Sequence, residues 1–303
     1  MVLEIRYICK KTNMNRRLSW IWGMAILALA GASCSEEKKV SLKDNGEDYV
    51  LAETLEVSGR QGVACDGTHY YVSGSTALYK YDMEGRLLLS NEAPFEGLEL
   101  PANHIGDIDV HDGDLYAGIE TFMDGVGQNI QVAVYDAETL QYKYSIPWTN
   151  ASGQVEVCGL AVDADHGQVW MADWVQGHEL YCYDLASHTY LGKTELSPAP
   201  SLQQGILYVD GQILISADDG DAEEGRPDHL YVTTPVLGGV SEVSQYREMD
   251  DFLLAGEIEG LTLNPADGSL VVLSNRGARI ILGMPRGFYP GYDREIHNLY
   301  IYR

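Results

Sequence analysis

The sequence predicts an all-β protein built from repeats of one short unit. Five apolar segments each open with a glycine, and successive opening glycines are 44, 53, 46 and 55 residues apart. Each segment leads through a turn into a second apolar segment. The chain also contains 20 Tyr and 32 Gly, which is typical of a folded chain rich in strands and turns rather than of a disordered one. The opening glycines are Gly62, Gly106, Gly159, Gly205 and Gly260.

Turns rich in Asp and Gly separate the first and second strands of the copies. Glycine accepts the positive φ that two-residue hairpin turns require, so an Asp-Gly pair between apolar segments predicts a hairpin. Four copies carry such a pair, at Asp66-Gly67, Asp112-Gly113, Asp210-Gly211 and Asp267-Gly268.

Third and fourth strands complete the repeat. Third strands are predicted at 78–82, 132–136, 180–184, 230–233 and 299–302, and fourth strands at 86–90, 141–145 and 189–192. Four strands per copy at this spacing predict a five-bladed β-propeller. The fifth copy stops at its third strand, and we expect the alternating segment 49–57 to supply its outer strand and close the ring. A six-bladed ring is the alternative, but it lacks a sixth pair of inner strands.

The N-terminus predicts export. Arg16 and Arg17 precede an apolar run at 18–30, and small residues and Cys34 follow, which is the pattern of a signal peptide. The run is shorter than the ~20 residues of a spanning helix. The small residues before Cys34 resemble the lipobox of bacterial lipoproteins, which implies lipidation of Cys34. An ordinary secretory signal is the alternative, and Met14 is an alternative start to Met1.

The predicted organisation is a signal peptide at 1–33, a flexible tether at 34–47 and one propeller domain at 48–303. The acidic start of the tether resembles the export signal of surface lipoproteins, which implies a lipid anchor in the outer membrane at the surface of a Gram-negative bacterium. A solvated tether is the alternative.

Charge and cysteine content exclude several classes of partner and site. The net charge is −25, which argues against nucleic acid because phosphate binding needs a basic surface. Cys65, Cys158 and Cys182 are odd in number and lack a CxxC spacing. We therefore predict buried thiols rather than disulfides or a zinc site.

Propeller geometry predicts where a site forms. Residues just before each opening glycine and just after each second strand should meet on one face of the ring. These positions are mostly polar, which favours a ligand pocket over a structural channel filled with water. The predicted ligand-binding residues are Gln61, His104, Glu120, Asp173, Trp174, Gln204, Asp218, Glu259, Asn275 and Arg276.

Oxygen ligands dominate this set. Carboxylates that face one axis repel each other and raise each other's pKa, unless a cation or Arg276 compensates them. Calcium or another divalent cation is therefore predicted, with Asp173, Asp218, Glu259 and Asn275 as its ligands. The catalytic residues are unknown; Glu120 and Glu259 are the candidates for general acid–base chemistry.

The long loops at 122–131, 219–228 and 277–297 are expected to wall the pocket. Aromatic residues at 288–292 offer a surface for a sugar ring or a peptide side chain. The sequence lacks a serine nucleophile elbow, a glycine-rich phosphate loop and an HExxH zinc motif, which removes several enzyme classes.

The segments 61–67, 159–163 and 259–268 resemble blade openings of the five-bladed glutamine cyclotransferases. Those enzymes convert N-terminal Gln to pyroglutamate, and the resemblance implies an acid in the channel, Glu120 or Glu259. The channel carboxylates and Asn275 also resemble the divalent-metal site of the regucalcin–gluconolactonase propellers, which hydrolyse sugar lactones. That family has six blades and a Glu-Gly-Pro opening, whereas Leu261 follows Glu259-Gly260 here.

The expected function is binding of a small glycan- or peptide-derived ligand in a polar axial pocket. A metal-dependent hydrolase or lactonase, or a cyclotransferase-like enzyme, is the first alternative. A scaffold for another protein of the cell envelope is the second. The sequence leaves open whether there is catalysis.

Overall fold

The computed structural model describes residues 40–123, 126–174, 177–251, 255–281 and 284–303. The predicted signal peptide, the lipidation site Cys34 and residues 35–39 lie outside this range. The described part is all-β apart from two short 3-10 helices, Gly46–Asp48 and Asn150–Ser152. Neither of them is long and apolar enough to cross a membrane.

The strands of the described residues follow one another through short connections. The first eleven are β1 (Leu51–Val57), β2 (Val63–Cys65), β3 (His69–Gly74), β4 (Ala77–Asp82), β5 (Leu87–Asn91), β6 (His104–His111), β7 (Asp114–Met123), β8 (Val126–Asp136), β9 (Tyr142–Pro147), β10 (Gly159–Asp163) and β11 (Gln168–Ala172). The others are β12 (Glu179–Asp184), β13 (Tyr190–Ser197), β14 (Gln203–Val209), β15 (Gln212–Ala217), β16 (His229–Thr233), β17 (Val240–Glu248), β18 (Ile258–Leu263), β19 (Leu270–Arg276), β20 (Ala278–Ile281), β21 (Met284–Phe288) and β22 (Ile296–Tyr302).

Strands that are neighbours along the chain pair in antiparallel sheets. The strands β2–β5 form one four-stranded sheet and β6–β9 another, each in chain order. The groups β10–β13 and β14–β17 are paired in the same way, and parallel pairing of β13 with β17 joins them into one eight-stranded sheet. The last sheet has the order β18–β19–β22–β1, with Leu51 of β1 opposite Tyr302 of β22. The N-terminal strand therefore completes the last sheet, as predicted.

The first strands of these groups contact one another in a cycle. The strand β2 contacts β6, β6 contacts β10, β10 contacts β14, β14 contacts β18, and β18 contacts β2. The strands β10 and β18 are buried along their whole length. Glycine permits the close approach, because a Cβ on Gly260 would lie 2.7 Å from the Cα of Gly62. The fold is thus propeller-like and all-β.

One carboxyl group occupies the middle of this cycle. Asp107 is fully buried, and its side chain accepts the backbone N–H of Ile108 at 2.9 Å, of Ile206 at 3.0 Å and of Leu160 at 3.4 Å. A Cβ on Gly260 would lie 2.5 Å from its Oδ1. Asp107 therefore links three first strands directly and fills the space between them, and burial raises its pKa well above the ordinary value.

The hydrophobic core lies between successive sheets. Tyr71 and Leu78 of the first sheet pack in one cluster with Ile105, Leu115 and Tyr135 of the second, and a buried side chain of this size contributes about 1.5–3 kcal/mol. The prediction of buried thiols is confirmed, because the three cysteines of the described residues are free and buried.

The structure corrects the start of the folded body. Residues 40–47 were assigned to the tether, but Val40 and Leu42 pack against a core cluster. The buried Arg247 donates through Nη1 to the carbonyl oxygens of Gly46 at 2.8 Å and Tyr49 at 2.9 Å. The packing of Val40 and Leu42 and the hydrogen bonds of Arg247 therefore attach this N-terminal segment to the folded domain.

Two of the predicted long loops are largely strand. Within 122–131, β7 and β8 continue to Met123 and Val126 as one long hairpin. Within 277–297, β20 and β21 form a separate two-stranded sheet. The loop prediction was wrong here because cross-strand pairing, such as that of Phe122 with Gly127, stabilises strands whose Gly and polar residues give no clear alternation in sequence.

Candidate functional site

A cavity of about 120 Å³ lies where the first strands begin. We call it the axial cavity. Each of the five groups of strands contributes one residue within two positions of the start of its first strand. These residues are Gln61, His104, Cys158, Gln204 and Glu259. The other residues lining the cavity are Arg60, Ser75, Phe122, Glu156, Trp174 and Glu257.

One wall of the axial cavity carries a compensated pair of carboxylates. The Nη2 of Arg60 lies 2.8 Å from Oε2 of Glu257 and 3.8 Å from Oε1 of Glu259, and its Nε lies 3.1 Å from Oε1 of Glu295. Burial raises the pKa of Glu257, and Arg60 opposes this shift. Burial and the neighbouring Glu257 raise the pKa of Glu259 well above its usual range. Arg60 therefore supplies the counter-charge that was predicted for Arg276.

Neither Asn275 nor Arg276 lines the axial cavity. The Nδ2 of Asn275 donates to Glu259 and, at 3.0 Å, to the carbonyl oxygen of Arg60. Arg276 donates from Nε to Oδ1 of Asn298 at 3.1 Å and does not line the cavity. Side chains alternate along β19, so neighbouring residues point to opposite faces. The prediction that Arg276 faces the axis was wrong for this reason.

A second wall contains Glu156, and the buried carboxyl groups of Glu120 and Asp173 lie next to Glu156 without lining the cavity. Oε2 of Glu156 accepts the backbone N–H of Trp174 at 2.9 Å, and Oε2 of Glu120 accepts that of Val157 at 3.1 Å. Asp173 accepts the Tyr181 hydroxyl at 2.9 Å. No Lys or Arg of the described residues forms an ion pair with them. The imidazole of His104 is the basic side chain of the described residues that pairs with this wall, through Glu120.

Burial dominates the titration of the carboxyl groups at this wall. It raises the pKa of Glu156 well above the usual range, and the nearby Glu120 adds to the shift. It also raises the pKa of Glu120, and it raises that of Asp173 to about 6. The Nδ1 of His104 lies 3.4 Å from Oε1 of Glu120. These two atoms and Nε1 of Trp174 are buried without a hydrogen-bond partner among the described residues, so the wall is polar and unsatisfied.

Asp218 lies in a second cavity of about 260 Å³, which we call the side cavity. Asp228, Tyr289 and Glu257 also line it, and Glu257 is shared with the axial cavity. Burial and Asp228 raise the pKa of Asp218 well above its ordinary value, and burial raises that of Asp228 to about 7. Of the predicted aromatic surface at 288–292, Tyr289 faces the side cavity and Phe288 is 49% exposed.

The four predicted cation ligands do not share one cavity. Glu259 lines the axial cavity, Asp173 and Asn275 are hydrogen-bonded behind its two walls, and Asp218 lines the side cavity. In the part of the chain that the structure describes, no group of three or more His, Cys, Asp or Glu residues has an arrangement that could hold a metal ion. A divalent cation stays a prediction.

Sequence reasoning missed three charged residues of the axial cavity, Arg60, Glu156 and Glu257. A signal for the two glutamates was present. Glu156 precedes Cys158 by two residues and Glu257 precedes Glu259 by two, and in extended chain such residues share a face. Arg60 could not be found in this way, because it stands next to Gln61 in a segment without strand periodicity.

Comparisons with known proteins concern the fold. No family model matches the sequence, and no curated protein matches it. The structure is similar to U3-55K, at 9% identity and a TM-score of 0.49, over 84% of this chain and 99% of that one. It is also similar to a chain of the nidogen/laminin complex (16% identity, TM-score 0.41, 68% of each chain). A chain of the mitotic checkpoint complex is matched at 10% identity and a TM-score of 0.40, over 79% of this chain and 62% of that one.

These likenesses describe backbone shape. The matched chains are propeller-like or rich in β-strands. Identities of this size carry no information on ligand or activity. The resemblance to the glutamine cyclotransferases and to the regucalcin–gluconolactonase propellers therefore still depends on the residues of the blade openings alone.

Proposed function

We propose that the chain is a five-bladed β-propeller closed by its N-terminal strand. The support is the topology. Five groups of four strands follow the chain order, β1 completes the fifth group, and the first strands form a cycle of contacts. A six-bladed ring would need a further sheet between two first strands that already contact each other.

We propose that this propeller binds a small glycan- or peptide-derived ligand through an amine group in the axial cavity. One observation carries the proposal. Three carboxyl groups line the cavity, those of Glu156, Glu257 and Glu259, and Arg60 is the single Lys or Arg among its described lining residues. Arg60 is already held by Glu257, so no Lys or Arg of the described residues pairs with Glu156.

An ammonium group would complete this wall. Buried carboxyl groups with raised pKa values bind protons in place of a cation, and an ammonium group nearby favours their ionised form. Binding should therefore release protons, and affinity should fall as the pH is lowered and the carboxyl groups become neutral. Phe122 and Trp174 add aromatic surface, which attracts cations as well as apolar groups.

Matched probes test this proposal. Glucosamine and n-butylamine, compared with glucose and n-butanol, should raise the melting temperature of the protein, because a ligand that binds only the folded state stabilises it. Glu156→Gln should remove the effect of the amines, and the exposed Glu242→Gln should leave it intact. Equal effects of charged and uncharged probes would rule out amine recognition.

A second candidate function is catalysis at the same wall. Glu120 and Glu156 are buried carboxyl groups with raised pKa values, and His104 lies 3.4 Å from Glu120. A carboxyl group that is protonated near neutral pH can act as a general acid. Assays of Gln-peptide cyclisation and lactone hydrolysis, with and without EDTA, test this function and the predicted calcium requirement together. Comparison of Glu259→Gln with Glu120→Gln separates Glu259 from Glu120, the two acids that the sequence indicated as candidates.

We also propose that Cys34 carries a lipid and holds the propeller at the outer membrane, exposed to the cell surface. The support is the sequence pattern before Cys34. Cys34→Ser should move the protein from the membrane fraction to the soluble fraction, and added protease should degrade the wild type on intact cells. If the protein instead acts as a scaffold, an envelope protein should still co-purify with the Glu156→Gln variant.

A further inference from the structure

A third cavity lies at the outer strand of the second group, β9, where the turn between β12 and β13 of the third group meets it. It measures about 390 Å³, within the range of roughly 300–1,000 Å³ that is usual for pockets that bind small molecules. Among the described residues, none lines both this cavity and the axial cavity. We call it the outer cavity. Its lining includes Glu99, Gln131, Tyr142, Tyr144, Ser145 and His188.

Aromatic rings line the outer cavity, and neighbouring groups hold them in place. Tyr144 and His188 stack with ring centroids 5.3 Å apart and an angle of 5° between the ring planes. Tyr142 packs edge-on against Tyr135, with ring centroids 6.0 Å apart. His188 has a positive φ of 58°, and its backbone N–H donates to the carbonyl oxygen of Asp184 at 2.9 Å. The turn therefore fixes the position of the His188 ring, and the aromatic surface is formed before any ligand binds.

Polar groups border this aromatic surface. Gln131 is 1% exposed, and its Nε2 donates to the carbonyl oxygen of Leu100 at 3.3 Å. This hydrogen bond ties the segment that carries the exposed carboxyl group of Glu99 to β8. The hydroxyl oxygen of Ser145 lies 3.1 Å from that of Tyr142. The outer cavity therefore combines aromatic rings with hydrogen-bonding groups of three kinds: carboxyl, amide and hydroxyl.

We propose that the outer cavity binds a neutral pyranose ring of a glycan. One face of a pyranose carries mainly C–H groups, which pack against aromatic rings. Its edge carries hydroxyl groups, which can donate to carboxyl and amide oxygens and accept from hydroxyl groups. A nucleotide would also stack on aromatic rings, but Glu99 and the net charge of −25 repel its phosphate. This inference does not depend on amine recognition in the axial cavity, because it concerns other residues.

Saturation-transfer NMR on the full chain tests the proposal. The probes are the methyl β-glycosides of glucose, galactose, mannose and xylose. The controls are sorbitol, which has hydroxyl groups but no ring, and cyclohexanol, which has a ring but a single hydroxyl group. At least one glycoside should receive saturation, most strongly at the C–H protons of one ring face, and neither control should match it. The proposal fails if no glycoside receives saturation, or if a control receives as much.

Variants locate the contact. His188→Asn removes the ring but keeps a residue that tolerates positive φ, and Glu99→Gln removes a charged hydrogen-bond acceptor. Each should weaken glycoside binding at least about fivefold. His111→Asn is the matched control, because His111 is an exposed histidine at the end of β6. It should leave glycoside binding unchanged, and so should Glu156→Gln in the axial cavity.

The outcomes separate this inference from the proposed function. If glycoside binding survives in both His188→Asn and Glu99→Gln, or is lost in Glu156→Gln, the sugar does not bind in the outer cavity and the inference is wrong. If glycosides bind as expected but glucosamine and n-butylamine gain nothing from their charge, amine recognition is wrong and the outer cavity stands.

Discussion

Replacing Asp173 by asparagine should stabilise the protein at pH 8 relative to pH 5. Asp173 is 4% exposed, and burial raises its pKa to about 6, whereas an unfolded aspartate titrates near 3.9. A carboxyl group whose pKa is raised on folding contributes stability at low pH, and this contribution is lost as the pH rises from about 4 through about 6. Asparagine cannot ionise, so the variant keeps what the wild type loses.

The magnitude follows from the two pKa values. One pKa unit corresponds to about 1.36 kcal/mol, and the wild type loses about 1.5 kcal/mol more than the variant between pH 5 and pH 8. The asparagine oxygen can still accept the N–H of Glu156, and the Tyr181 hydroxyl can turn to accept from the new amide. Any cost of these exchanged hydrogen bonds is the same at both pH values.

Urea unfolding of wild type and Asp173→Asn at pH 5 and pH 8 measures this difference. Asp184→Asn is the matched control, because hydrogen bonds from Ser187 lower the pKa of Asp184. A lowered pKa means that stability is lost only as the pH falls through it, below the range of the assay. The control should therefore lose the same stability at both pH values. A difference for Asp173→Asn that is absent, or larger at pH 5, would refute the reasoning.

Three further predictions concern packing. Gly260→Ala should destabilise the protein by about 1–3 kcal/mol, because its Cβ would lie 2.5 Å from Asp107; Gly74→Ala, whose nearest contact would be 3.5 Å, should show no such loss in the same unfolding assay. Arg247→Ala should reduce stability by about 3 kcal/mol and speed proteolysis between residues 40 and 50; unchanged cleavage would contradict its docking role. Cys158 should resist alkylation by iodoacetamide at pH 8 in the native protein and react in urea, since burial raises the pKa of its thiol. Mass spectrometry measures the alkylation, and a Cys158 adduct formed without urea would contradict this prediction.

Repeat spacing predicted much of the architecture because blade strands depend on local patterns. Each local signal occupies only a few residues of sequence: a Tyr-rich strand, an Asp-Gly turn or an opening glycine. The outer strand that β1 supplies to the last sheet was predicted from a segment of similar length. Gln61, His104 and Gln204 were found as cavity residues because the start of a first strand fixes their place. Whether they bind a ligand stays a prediction.

Other placements depend on tertiary contacts that spacing does not encode. Asp218 follows β15 directly, but its N–H donates to the carbonyl oxygen of Leu202 at 3.0 Å and its side chain faces the side cavity. Arg60 reaches the axial cavity through carboxylates that are distant in sequence, among them Glu257 and Glu295. Such pairings form only when the sheets come together, so no pattern within one repeat indicates them.

The carboxyl group of Asp107 makes distant positions of the sequence depend on one another. A Cβ atom added to Gly62, Gly205 or Gly260 would lie within 3.1 Å of this group. A larger side chain at any of these three positions would displace it, so residues 62, 107, 205 and 260 cannot vary independently.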